Sequence, residues 1–91
     1  MKITWYAGAN EYGYIYPTTV RCNVEDCIQA TVAFLEMDQQ TFIKQGGRIL
    51  GLSIEKPFLM SYPVQSEITS DTVVTDVIGY RSGQSYVAKN K

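Results

Sequence analysis

Ile49-Leu50-Gly51-Leu52-Ser53-Ile54-Glu55, followed after Lys56-Pro57 by Phe58-Leu59-Met60-Ser61-Tyr62-Pro63-Val64, carries the clearest periodicity in this chain of 91 residues. Leu50, Leu52 and Ile54 alternate with Ile49, Gly51, Ser53 and Glu55. Phe58, Met60, Tyr62 and Val64 continue at the same period of two, which marks β-strands with one buried face. A three-residue loop at Glu55-Lys56-Pro57 pairs Ile54 with Phe58, Leu52 with Met60 and Leu50 with Tyr62, so that six apolar side chains share one face. At about 1.5–3 kcal/mol per buried side chain, this hairpin is expected to be a main contributor to the core. Pro63 ends its second strand, and residues 64–70 read as a connecting loop.

Upstream, the period changes to that of a helix. Val24, Ile28, Val32 and Leu35 form one stripe flanked by Cys27, Ala30 and Phe34, which predicts a helix over 24–37 with its stripe on the hairpin face. Asn23 suits the N-cap, with Asp26 three residues on as a short-armed capping box. Cys22 and Cys27 would then stand at N′ and N4 and touch as a hydrophobic staple. Glu25 and Asp26 favour the positive end of the helix dipole, whereas Glu36 and Asp38 stand at the wrong end. Residues 22–40 thus hold four acids and no base, either a solvated face or an acidic surface for a basic partner. Residues 39–45 read as a helical extension or a second short helix started by Asp38, left through Gly46-Gly47.

The amino-terminal stretch Lys2 to Ala7 is β-branched and aromatic, and Gly8-Ala9-Asn10-Glu11 reads as a hairpin loop. Tyr12, Tyr14 and Tyr16 follow at period two. With that loop, Trp5 lies opposite Tyr14 and Ile3 opposite Tyr16, giving an aromatic hairpin face. Pro17 marks an edge or a bulge before Thr18-Thr19-Val20-Arg21 resumes the strand. Near the carboxyl end, residues 72–78 are too β-branched for a helix and read as a strand. Ser82-Gly83-Gln84 turns into a further strand at Ser85-Tyr86-Val87-Ala88, and 89–91 is a frayed basic tail.

The fold expected is therefore α+β: one compact domain over 1–91, with an antiparallel sheet of about five strands and one main helix packed on a face. Apolar residues make up 45% of the chain and charged residues 19%, so it is neither disordered nor repetitive. Eight cations against nine anions argue against duplex DNA as a partner. The chain has no histidine, the commonest general base and metal ligand. Two cysteines spaced C-x4-C fall short of a four-ligand zinc site and of a C-x-x-C redox pair, and they read as small buried hydrophobes. No nucleophile elbow or phosphate-cradling loop is present. These features predict a protein that is not an enzyme, with no catalytic residues, no metal and no cofactor. The start, Met1-Lys2-Ile3-Thr4-Trp5-Tyr6, lacks the long apolar core and small-residue cleavage site of a secretory signal, and no apolar run approaches the length that spans a bilayer, which points to a cytoplasmic protein without a membrane partner.

Seven tyrosines and one tryptophan are the informative excess, since tyrosine gives large contact area at low entropic cost. The leading expectation is a protein-interaction module acting by surface occupation, such as a small inhibitor or adaptor of the kind mobile elements carry. Trp5, Tyr12, Tyr14 and Tyr16 would bind, with Glu36 and Asp38 as a secondary acidic patch, and a free strand edge would favour a homo-oligomer. Two alternatives use the same residues differently. One is a small-ligand or nucleotide binder with an aromatic-lined cleft, in which Arg48 or Arg81 holds an anionic group. The other is a single-stranded nucleic-acid binder that stacks bases on tyrosine.

Overall fold

The computed structural model describes residues 2–55, 72–79 and 82–87. They form an α+β unit with one antiparallel sheet in chain order, β1 (Lys2–Ala9), β2 (Arg48–Glu55), β3 (Val73–Ile78) and β4 (Ser85–Val87). Two helices, α1 (Val24–Leu35) and α2 (Gln39–Lys44), stand between β1 and β2 in sequence. The described residues hold four strands where about five were expected. The antiparallel sheet, the main helix and the strands at 73–78 and 85–87 match the sequence reading.

β1 runs against β2 over its whole length, from Lys2 opposite Glu55 to Ala9 opposite Arg48. β3 takes the other edge of β2, with Leu52 opposite Val74 and Leu50 opposite Asp76. The neighbours of Leu50 and Leu52 are thus Ala7, Trp5, Val74 and Asp76. The expected partners Phe58, Met60 and Tyr62 lie outside the described residues. Alternation sorts the side chains into two apolar clusters, one on each face of the sheet. Trp5, Ala7, Ala9, Leu50, Leu52 and Val74 are buried together with Val20, and Ile15 packs against them. On the opposite face Ile49 joins Cys27, Ile28 and Phe42, with Tyr6, Val32, Leu35 and Val77 beside them.

The helices therefore cover the Ile49 face, not the Leu50–Leu52 face that the periodicity favoured. The reason lies in a close approach. Thr31 of α1 seats directly on Gly8, where an added Cβ would overlap its side chain, so the helix docks where the sheet is thinnest. A register shift between Ile49 and Leu50 leaves Val77 as an extra residue on β3. Val77 and Ile78 both join the helix-side cluster as a result.

The helix ends follow from local chemistry. Asn23 caps α1, its side chain accepting from the Asp26 N–H at 2.8 Å while its Nδ2 donates to Asp26 Oδ2 at 2.8 Å. Cys27 is buried but Cys22 is exposed, so only one of the two residues expected to form the staple enters the core. α1 stops at Leu35, two residues before Met37. Glu36 takes a left-handed conformation (φ 55°), and the Met37 N–H returns to the Val32 carbonyl at 3.2 Å, the bond pattern of a Schellman stop. Asp38 then caps α2, its Oδ1 accepting from the Thr41 N–H at 2.7 Å. Its place after α1 is thus a start signal for the next helix. α2 ends as the sequence suggested, with the Gly46 and Gly47 N–H groups returned to the Ile43 and Phe42 carbonyls.

The segment after β1 departs most from expectation. Residues 12–16 are no strand, and Trp5 faces Leu52 instead of Tyr14. After Asn10 the chain turns and runs back along the outer edge of β1, touching it through bridges between Ala9 and Ile15 and between Tyr6 and Arg21. A 3-10 turn over Pro17–Thr19 separates the two bridges. Pro17 has no N–H for a ladder, and Thr19 instead turns its hydroxyl inward to accept from the Gly8 N–H at 2.9 Å.

Candidate interaction surface

The turn after β1 is built around one side chain. Asn10 Oδ1 accepts from the Tyr12 N–H at 2.9 Å and the Tyr14 N–H at 3.0 Å. The Asn10 backbone adds a bond from its N–H to the Tyr14 carbonyl and another from the Gly13 N–H to its own carbonyl. Gly13 supplies the positive φ (87°) that closes the turn. Tyr12 stands at the tip of this pinned loop, 76% exposed, and Tyr14 is 40% exposed. Tyr16, half-buried, leads away from the tip and sets its ring 5.6 Å from that of Phe34 on α1. Phe34 is itself 53% exposed. Loop and helix together thus carry four aromatic rings at or near the surface.

The four aromatic residues singled out from the sequence part company here. Tyr12 and Tyr14 are outward, Tyr16 is shared between core and surface, and Trp5 is buried at 2% exposure in the sheet cluster. Trp5 is thereby withdrawn as a surface contact, because the register of β1 against β2 turns it inward beside Leu52. Phe34 is the residue the sequence reading passed over as core. It falls about a quarter-turn from the centre of the buried stripe of Cys27, Ile28 and Thr31, a position that periodicity alone leaves at the border of the buried face.

Arg48 does not fit the anion-holding role expected of it. Its Nε and Nη2 both donate to the Asp76 carboxylate, each at 2.7 Å, and the two side chains are 7% and 0% exposed. The planar fork is spent on a buried partner, which leaves Arg48 a poor holder for a ligand's anion. The pair locks β2 to β3 directly beneath the tyrosine loop, since Gly13 passes over the guanidinium with room for no side chain. Arg81 lies outside the described residues.

Glu36 and Asp38 are exposed on the short connection between α1 and α2. The Thr41 N–H holds the Asp38 carboxyl below its ordinary range, which keeps this cap charged. Glu25 and Asp26 are exposed in the first turn of α1. Between Arg21 and Lys44 the chain has no cation, so the only charges of α1 and its exit are carboxylates, two in its first turn and two just past its last residue. Burial pushes the Cys27 thiol up to about 11, against the lowering effects of the Thr31 hydroxyl and Arg21, so this sulfur is not poised as a nucleophile. Asp76, the one fully buried carboxylate among the described residues, is neutralised by Arg48. No three Cys, Asp or Glu side chains converge among the described residues as metal ligands would. No helix there is long and apolar enough to cross a membrane. Comparison with protein-family models, with curated proteins and with solved structures finds no match for this chain.

Proposed function

We propose that this protein is an interaction module that acts by occupying the surface of a protein partner, in the manner of a small inhibitor or adaptor. The observation that carries the reading is the tyrosine loop. A side chain as large as Tyr12 stands 76% exposed on a turn whose backbone is fixed by four hydrogen bonds around Asn10. A rigid loop presenting aromatic rings binds at small entropic cost, because little order is left to impose. Burying one such ring in a partner's pocket contributes about 1.5–3 kcal/mol, enough for two rings to dominate a modest interface. The buried Arg48–Asp76 pair beneath the loop supports the same reading, since it commits this guanidinium to the scaffold and not to a bound anion.

The test is co-purification of the tagged protein from its native source, with partners identified by mass spectrometry. The wild type is expected to retain one protein partner that the double variant Tyr12→Ala/Tyr14→Ala loses, with the circular dichroism spectrum unchanged. Retention of the same partner by the double variant contradicts the reading. So does recovery of nucleic acid in place of protein, with steep salt dependence, which is the mark of base stacking backed by phosphate contacts.

A further inference from the structure

α1 carries a second apolar stripe that does not face the sheet. Its buried side consists of Cys27, Ile28 and Thr31. Ala33 and Phe34 are nevertheless exposed and Ala30 is half-buried. Residues three and four apart on a helix are neighbours, so Ala30, Ala33 and Phe34 form one continuous patch, extended sideways by the Tyr16 ring. Small alanines beside a projecting ring make a ridge that another surface can approach closely. The charged side chains of α1 and of the connection to α2 are all carboxylates, Glu25 and Asp26 in the first turn and Glu36 and Asp38 beyond the end that carries Phe34, and the nearest cation in sequence, Arg21, precedes the helix. Two of these have structural work, Asp26 in the α1 cap and Asp38 in the α2 cap. Glu36 stops α1 through its backbone, but the carboxylates of Glu25 and Glu36 make no hydrogen bond or ion pair among the described residues.

Resting on the interaction reading above, we infer that the outer face of α1 is the docking surface for a basic protein partner, with Phe34 as the apolar anchor. The partner's face presents a pocket for one aromatic ring, rimmed by Lys and Arg. Charge decides the occupant. A second copy meeting this face with its own α1 would bring carboxylates against carboxylates, and a nucleic acid would bring phosphates. A basic rim is attracted instead, and the attraction speeds encounter at low salt.

The probe is a matched pair of amphipathic peptides of equal length, one of Leu and Lys and one of Leu and Glu, titrated into the 15N-labelled full chain. The Leu/Lys peptide is expected to shift the amides of residues 25–36 and Tyr16, and to bind at least about tenfold tighter than its Leu/Glu counterpart at about 50 mM salt. Phe34→Ala should weaken it by about tenfold or more. Glu25→Gln/Glu36→Gln, which leaves the N-terminal caps Asn23 and Asp38 intact, should erase most of the preference for Lys over Glu. Equal binding of the two peptides overturns the inference, as does an unaltered affinity in Phe34→Ala. A sedimentation result showing a dimer that Phe34→Ala dissociates also overturns it, because the occupant is then a second copy. A Leu/Lys footprint confined to Tyr12 and Tyr14 sinks this inference alone and leaves the wider interaction reading standing.

Discussion

Glu36 is a left-handed residue with a Cβ (φ 55°), at a helix stop where glycine is the usual occupant. The conformation costs about 1 kcal/mol or more for an L-residue. Glu36→Gly is therefore expected to stabilise the fold by about 0.5–1 kcal/mol relative to Glu36→Gln, a comparison that removes the charge from both sides. Urea denaturation of the two variants reads this difference. A second residue-scale expectation concerns Cys27, whose folded thiol titrates at about 11 against an ordinary 9.0. Above pH 9.0 the unfolded chain releases this proton while the folded chain holds it, so stability falls as pH rises. The loss amounts to about 2–3 kcal/mol by the time pH reaches the folded value. Cys27→Ala should flatten that alkaline limb, and thiol labelling of the native protein should modify Cys22 long before Cys27. Residue chemistry of this kind was partly legible in advance. The Asn23 cap, the Asp38 start and the Gly46-Gly47 exit are local hydrogen-bonding rules, and all three are seen. The burial of Trp5 and the pairing of Arg48 with Asp76 were not legible, because both depend on which strand lies beside β2.

At the scale of elements, the decisive unit is the loop from Asn10 to Tyr16. Alternation of Tyr12, Tyr14 and Tyr16 resembles a strand, yet Asn10 bonds its own chain two and four residues on and so offers the backbone an alternative to a ladder. Pro17 completes the break. Period-two patterning cannot tell a strand from a pinned turn whose side chains happen to alternate, and this is where the sequence misled. Asn10→Ala is expected to destabilise the protein by about 1–2 kcal/mol through two lost hydrogen bonds. It should also speed amide exchange at Tyr12 and Tyr14 while leaving residues 27–32 of α1 unchanged. Uniform acceleration across the helix as well would show that the loop is integral to the global fold and not a separately pinned unit. The helix α1 itself was well signalled by its stripe, but its sheet-facing partner was not. Thr31 on Gly8 chooses the face, and a contact between a side chain and a missing side chain leaves no periodic trace.

For the whole molecule, the sheet is apolar on both faces, the helices and the tyrosine loop lie at the β1–β2 side, and the described charges divide unevenly. One ion pair is buried beneath the loop, while the only charges of α1 and its exit are carboxylates. The account's central claim is that this outer layer, aromatic at the loop and along α1, is what the protein uses. The most direct test is isothermal titration of the purified partner against wild type and the triple variant Tyr12→Ala/Tyr14→Ala/Phe34→Ala, with thermal unfolding followed in parallel. The expected result is a loss of affinity of about a hundredfold or more with the unfolding midpoint essentially unmoved. Equal affinity in the two proteins, at equal stability, would contradict the claim.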